Sequence, residues 1–535
     1  MSISITNGDG IQMKDILLKN KKFVIITFIL TLFTAVLTVS VPILLSNIFN
    51  NNYTINTQNF ILIIVFMFIT YAIQIAMVII RENFALKFNT DYSKELFSKM
   101  FNMKYDSILN QGSSYLIDRI GQVVNNLYLF LINSLVGIIS NVIIIIVCLI
   151  LIALINIYLF LMLLALVPIN YLGYKFINKK LHEKSKIMQE DTSSGYKELI
   201  AIFKNTDMIK QESDYKRIEN LISPSIERIY RSMANVNKYG QSTSLIIKLL
   251  NNFVQNLMFF ALAYLIFTGD TQVGDLVIAS IVLPIFFTAL QAFTNVNLEY
   301  RDLLVSKDFV EESIINEQEE HKDIILKNIE SIHFGNVDFN IAKKSISHKI
   351  NNTFTCGDIV YVNGPSGSGK SSLMKSLLKF RDSSGIRINE YALEDINIES
   401  LRSHIFYLSQ ETSVLPFTLK ENIAYGSEDS HYDWNSLQNS ELMGSILKNH
   451  SLDGKLLDQG SNLSCGEKQR VMLARLLNED YDVIVLDEVT SNIDKKSQEI
   501  ILDTVLKRMK NKIVFMISHD LTVKEFCNKE IKINL

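Results

Sequence analysis

Charge is missing from long stretches of the first half of this chain. Residues 23–49, 60–80 and 128–174 contain no Asp, Glu, Lys or Arg. This excludes an ordinary soluble N-terminal domain, because each run is long enough to cross the roughly 30 Å hydrocarbon core as a helix. The first run is too long for the apolar core of a secretory signal, and further apolar runs follow it. As one helix, 128–174 would extend roughly 70 Å at about 1.5 Å per residue, so two spans are expected, with a turn near 153–156 where polarity briefly rises. Two more spans are expected over 249–267 and 276–293, on either side of the acidic, glycine-containing loop 268–275.

Cysteine is scarce. Cys148, Cys356, Cys465 and Cys527 are scattered, with neither metal-ligand spacing nor the pattern of an extracellular disulfide framework, so reduced cytoplasmic thiols are expected. A large excess of charge is also lacking. The formal net charge is −3, and Lys and Glu are mixed in the polar segments, which argues against a nucleic-acid partner. No internal repeat or low-complexity tract is present.

What charge there is has a direction. Lys14, Lys19, Lys21 and Lys22 precede the first span, Arg81 to Arg119 follow the second and Lys175 to Lys248 follow the fourth, whereas loops 50–59 and 268–275 hold no Lys or Arg. The positive-inside rule with six spans puts both termini in the cytoplasm, as expected of a multi-pass protein of a bacterial plasma membrane. The division expected is a cytoplasmic segment 1–22, a transmembrane domain 23–306 with two long cytoplasmic loops, a solvated linker 307–330 rich in acidic residues, and a soluble domain 331–535. In that last part strand and helix patterns alternate, which implies a mostly parallel sheet flanked by helices.

Within it, Gly364-Pro365-Ser366-Gly367-Ser368-Gly369-Lys370-Ser371 satisfies the phosphate-loop pattern at every position. A buried strand is expected over 358–363 and a helix over 372–380. The glycines let backbone N–H groups face the phosphates, Lys370 adds a point charge, and the Ser371 hydroxyl can ligate magnesium, with Ser372 beside it. A nucleoside triphosphate ligand is implied.

Further along, Leu463-Ser464-Cys465-Gly466-Glu467, followed by Lys468-Gln469-Arg470, resembles the signature of ATP-binding cassette (ABC) ATPases. Val483-Ile484-Val485-Leu486-Asp487-Glu488 resembles their second phosphate-site strand, Ser491-Asn492-Ile493-Asp494 their dimer-contacting loop, Gln410 their glutamine loop and His519 their switch histidine. Six spans ahead of one cassette look like an ABC half-transporter of the exporter type: an all-α membrane domain followed by an α/β P-loop domain. The resemblance implies ATP and Mg2+ as cofactors, with Ser371, Gln410 and Asp487 around the metal. Glu488 would orient and deprotonate the attacking water, and His519 and Lys370 would contact the terminal phosphate. Ser464, Gly466, Glu467 and Asp494 would complete the site of a second subunit, so a dimer is implied; retention of Glu488 and His519 favours a homodimer over a heterodimer. Residues 105–118 and 198–212 are similar to the family's coupling loops.

The chain also departs from the family pattern. Val337-Asp338-Phe339-Asn340 leads to Ile341 where an adenine-stacking aromatic is usual, leaving His333, Phe334 or Phe339 as substitutes and base preference open between ATP and GTP. Cys465 replaces a glycine, which puts an oxidisable thiol at the expected dimer seam. The chain ends soon after His519, so the family's trailing hairpin and helix are expected to be shortened. With only a short polar segment before the first span, no leader peptidase domain is expected. A path for small inorganic ions is poorly supported by charge-free spans. The expected cargo is a peptide, a lipid-like molecule or another hydrophobic or amphipathic compound, in contact with membrane lipid. Asn133, Ser134, Asn141, Asn252, Gln255, Asn256, Gln291 and Asn295 could line a cavity or join helices. A fused importer and an ATP-binding sensor or channel are the alternatives.

Overall fold

A computed structural model describes residues 21–50, 57–212, 214–341, 344–409, 414–425, 433–444, 446–457, 460–478, 480–489, 498, 502, 506 and 509–533. Gln410 and the loop 491–494, with Asp494, lie outside the described residues. The chain divides into two compact units, Met1–Glu319 and Glu320–Leu535.

The first unit is helical: α1 (Lys21–Asn50), α2 (Thr57–Phe101), α3 (Tyr105–Gln111), α4 (Ser113–Leu129), α5 (Val136–Ile155), α6 (Ile157–Phe203), α7 (Thr206–Gln211), α8 (Tyr215–Thr268) and α9 (Val273–Phe309). Among the described residues, six helical elements are long and apolar enough to cross a membrane. A π-helical turn, Phe130–Leu135, joins α4 to α5 in one continuous element. The break between α5 and α6 is Asn156 alone. Its extended backbone interrupts the helix, and its side chain accepts from the N–H groups of Tyr158 and Leu159, an N-cap that restarts it. After α8, Gly269 at φ 83° supplies the left-handed residue that ends a helix. Gln272 and Asp275 then form a reciprocal capping box that starts α9. The 54 residues of α8 extend about 80 Å, far beyond a hydrocarbon core, so its polar first half projects from the membrane.

Packing inside this unit is mainly apolar, with buried polar contacts such as Arg119 donating to Gln189 at 2.6 Å and Ser185 to Asp302 at 2.6 Å. Cys148, Ile152, Leu163, Met258, Leu262 and Phe286 form the centre of a buried cluster joining α5, α6, α8 and α9. Among them Asn170 and Asn251 exchange amide hydrogen bonds of 3.0 and 3.1 Å between α6 and α8.

Residues 307–330, expected as a solvated linker, are instead shared out between the units. A π-helical turn, Val310–Ile315, continues α9, and Val310 and Ile314 are buried with Met100, Met103, Leu116 and Ile120. The backbones of Lys104 and Glu319 bond to Glu317 and Asn102. On the other side, Leu326 and Ile329 are buried in the second unit, where the Ile329 N–H donates to Asp482. The acidic side chains dominate the composition of this segment, but the apolar residues between them decide where it packs.

The second unit holds two sheets. An antiparallel sheet, which the alternating pattern did not predict, orders β1 (Ser331–Ile341), β2 (Lys344–Thr355), β4 (Ser383–Ile388) and β5 (Tyr391–Ala392) as β2-β1-β4-β5. The expected parallel sheet orders β3 (Ile359–Asn363), β6 (Ile405–Leu408), β7 (Val483–Asp487), β8 (Ile513–Ile517) and β9 (Lys529–Lys532) as β6-β7-β8-β3-β9. Both β7 and β8 are buried at all five positions, as the unbroken apolar runs of a central parallel strand require. The helices relevant to the site are α10 (Lys370–Leu377), α11 (Ile398–Ser403), α12 (Leu419–Ala424), α13 (Trp434–Gln438), α14 (Glu441–Gly444) and α15 (Cys465–Asn478).

Candidate functional site

The register of the parallel sheet builds the site. Val362 on β3 and Asp487 on β7 both pair with Ile517 on β8, so the three strands finish level. The segments that follow them, beginning at Gly364, Ser518 and Glu488, therefore emerge together at the carboxyl edge, where parallel sheets place ligands.

The first segment is the phosphate loop. Gly364 is pressed against the end of β9: a Cβ there would lie 2.8 Å from the Ile533 carbonyl oxygen and from Ser368 Oγ. Gly369, at φ 90°, is the N-cap of α10, which starts at Lys370, two residues earlier than expected, and ends at Leu377. Pro365, Ser366 and Gly367 are exposed, Ser371 and Ser372 half-buried in the first helical turn. Lys370 is buried, and its Nζ donates to the carbonyls of Gly364 and Pro365 at 2.8 and 3.0 Å. The ammonium is thus held across the mouth of the loop beside a helix N-terminus, an arrangement suited to polyphosphate.

The second segment begins with Asp487, buried at the end of β7. Tyr407 on β6 donates its hydroxyl to Asp487 Oδ2 at 2.7 Å. The register explains the contact: Tyr407 pairs with Val485, two residues before Asp487 on the same face. Nothing in the sequence singled out Tyr407; only the strand order makes it a neighbour. Glu488 was expected to continue the strand, but the strand stops at Asp487. Glu488 turns into the left-handed region at φ 54°, with its N–H donating to the Ile517 carbonyl at 2.9 Å. Such a backbone is costly for a side-chain-bearing residue and concentrates at functional positions. The turn brings Glu488 Oε1 to 3.1 Å from Nε2 of His519, which leaves the end of β8. Two residues 31 positions apart in sequence thus meet at the sheet edge beside the phosphate loop.

The third group starts α15. Ser464 and Glu467 form a reciprocal cap: the Ser464 N–H and hydroxyl donate to Glu467 Oε2 at 2.8 and 2.9 Å, and the Glu467 N–H donates to Ser464 Oγ. Burial raises the Glu467 pKa, but these bonds outweigh it and hold the carboxyl below its ordinary value. Glu467 therefore orders the turn, while Ser464 and Cys465 are exposed at the helix start and Gly466 is half-buried.

The substitute base-stacking residues do not serve. Phe334 and Phe339 are 0% and 1% exposed in the core between the sheets, and His333 is tied to Thr353 Oγ1 at 2.9 Å. A register shift in β1 after Phe334 moves the buried positions from 332 and 334 to 337 and 339, so both rings face the core. The residue that does reach the loop from this sheet is His348 on β2, buried beneath it against Phe339. Burial pushes its pKa down, against a bond to the Ser368 backbone, and its Nε2 comes within 3.4 Å of a Cβ built at Gly369.

A family model for the ABC transporter transmembrane region matches residues 24–290, and one for the ABC transporter cassette matches residues 347–491. The chain belongs to the ABC transporter family. It is a half-transporter of the exporter type, carrying both regions in one polypeptide. The transporter is 30% identical over 321 residues to a probable ABC transporter ATP-binding/permease protein of Haemophilus influenzae, covering 58% of this chain and 57% of that one. It is 28% identical over 392 residues to ATP-dependent lipid A-core flippase 2 of Colwellia psychrerythraea, covering 69% and 65%. The matches thus span less than two thirds of the length of these relatives. A bacterial Atm1-family ABC exporter with ATP bound shares the fold at a TM-score of 0.82, 19% identity, and 96% and 94% coverage.

An ABC cassette implies nucleotide binding, and the described donors fit a hard divalent cation. Asp487 is a buried carboxylate with Oδ2 fixed by Tyr407, the Ser371 hydroxyl stands in the first turn of α10, and no cluster of three His, Cys, Asp or Glu is present among the described residues. One carboxylate and one hydroxyl, with phosphate oxygens completing the shell, suit magnesium rather than zinc.

Proposed function

We propose that this transporter is an ATP-driven exporter of hydrophobic or amphipathic molecules that works as a dimer, most simply of identical chains. The observation that supports this most is the Glu488–His519 pair, 3.1 Å apart at the same sheet edge as the phosphate loop, in a chain that also carries six spans. Gly364 to Ser372 cradle the phosphates through backbone N–H groups, and Lys370 turns from its loop carbonyls to the terminal phosphates. Asp487 and Ser371, with Gln410, would hold Mg2+, which would supply charge neutralisation to the phosphates. Glu488 is the general base that orients water, and His519 senses the terminal phosphate through its contact with Glu488.

Ser464 and the exposed N-terminus of α15 belong to a segment separate from the phosphate loop. In this reading they, with Gly466 and Asp494, serve the ATP of the partner, so each site needs two cassettes. The short helices α3 and α7, at the cytoplasmic turns of the membrane unit, are the coupling elements. The name of the Colwellia relative, ATP-dependent lipid A-core flippase 2, is consistent with amphipathic cargo.

Uptake into inside-out membrane vesicles tests the direction. ATP-dependent accumulation of a labelled amphiphile, absent in Glu488→Gln, is expected. Accumulation only in right-side-out vesicles would make the protein an importer, and accumulation equal in Glu488→Gln would make it a passive path.

A further inference from the structure

The cassette carries an open cavity of about 800 Å3 that none of the phosphate-loop residues lines. Its lining includes Lys420 of α12, Trp434 and Gln438 of α13, and Lys448, His450 and Asp453 of the segment ahead of α15.

The core beneath fixes these walls. Leu419, Leu437, Met443, Ile446 and Leu456 are buried in one apolar cluster, and Trp434, Leu447 and Leu452 pack against it. Segment 451–456 is tied to the start of α12 by backbone bonds. The Leu419 and Lys420 N–H groups donate to the Gly454 and Leu452 carbonyls at 3.1 and 2.8 Å, and the Leu456 N–H donates to the Phe417 carbonyl at 2.8 Å. Trp434 and Gln438 are one helical turn apart and share a side of α13. Lys420 Nζ lies 5.3 Å from the centre of the Trp434 ring, a cation–π contact that holds the ammonium at the wall.

Charge in the lining is unbalanced. Lys420, Lys448 and His450 face a single carboxylate, Asp453. Gathered cations repel one another, and an anion seated among them removes that repulsion. The volume falls in the range of about 300–1,000 Å3 usual for small-molecule sites, but ammonium, imidazole and amide groups suit a charged ligand rather than an apolar one. The cavity also adjoins the start of α15. Burial raises the Glu467 pKa, whereas the Ser464 bonds and, after them, the charge of His450 lower it, so His450 stands within electrostatic reach of the Ser464–Glu467 cap.

We propose that Lys420, Lys448 and His450, with Trp434, bind a small, multiply charged anion, phosphorylated or polycarboxylated, at a site separate from the phosphate loop. An anion seated there acts on the helix start that carries Ser464. The binding does not depend on the direction of transport.

Trp434 is the only tryptophan of the chain, so its emission, and its quenching by acrylamide, report on this cavity in the full-length protein in detergent. Pyrophosphate and citrate are the probes. A saturable change with at least one of them is expected, and the tighter of the two names phosphate or carboxylate as the ligand's charged group. Lys420→Gln and Lys448→Gln are each expected to raise the apparent dissociation constant roughly three- to fivefold, the upper range of an exposed charge contact. Lys455→Gln, which removes an exposed lysine of the same segment outside the lining, is expected to leave it unchanged. Pyrophosphate also suits the phosphate loop, so the titration is repeated in Lys370→Ala, where the change is expected to persist. No saturable change with either probe would overturn the proposal, whether the cavity stays empty or another segment covers it. A change that disappears in Lys370→Ala, or that Lys455→Gln weakens as much as Lys448→Gln does, would overturn it as well.

Discussion

At the residue scale, the site depends on contacts between positions far apart in the chain. Tyr407 fixes one oxygen of Asp487 at 2.7 Å, and its loss leaves that buried carboxylate free to rotate. Tyr407→Phe is expected to raise the Mg2+ concentration for half-maximal ATPase activity several-fold while leaving metal-free nucleotide binding unchanged. A fluorescent nucleotide titrated with and without chelator separates the two, and a loss of metal-free binding would contradict the positioning role. Cys465, exposed at the start of α15, is expected to make the ATPase sensitive to maleimide. Inhibition that persists in Cys465→Gly would place the reactive thiol elsewhere.

His348 gives a dependence on pH. Burial holds its pKa below the ordinary value near about 6.5, so the folded cassette keeps the imidazole neutral while the unfolded chain takes up a proton first. The stability it contributes is therefore present above about pH 6.5 and is lost as pH falls towards the lowered folded value. The thermal midpoint is expected to drop between about pH 7 and pH 5, and to drop less in His348→Leu. An unchanged pH dependence in that variant would show that other groups control it. The phosphate loop, the strand ending at Asp487, and Glu488 and His519 were legible because each lies in a short local pattern. Tyr407 and His348 were not, because one is placed by strand order and the other by the packing of a second sheet beneath the loop.

At the element scale, spans and breaks were legible from charge and polarity, down to the turn at Asn156. What the sequence hid was which polar residue faces which way. Asn251 is buried and bonded to Asn170 whereas its neighbour Asn252 is exposed, and only the packing of α6 against α8 distinguishes them. The linker was misread for a related reason: clustered acids masked Val310 and Ile314, whose burial at helical spacing ties that segment to α9. The Asn170–Asn251 pair is expected to contribute about 1 kcal/mol, within the range of interhelical bonds in membranes. Asn170→Ala and Asn251→Ala should each lower the thermal midpoint in detergent, and the double variant by less than their sum. Additive losses would mean that the two side chains are not bonded to each other.

At the scale of the whole molecule, one cassette offers a phosphate loop, the buried Asp487 carboxylate, and the Glu488–His519 pair at one sheet edge, and presents Ser464 on a separate helix start. The central claim is that this edge hydrolyses ATP in order to move cargo, with Glu488 as its base. Steady-state ATP hydrolysis by the purified transporter in lipid nanodiscs, compared with Glu488→Gln, tests it most directly. The account predicts hydrolysis that falls by at least about a hundredfold in the variant while ATP binding remains. Hydrolysis that survives the substitution would contradict it.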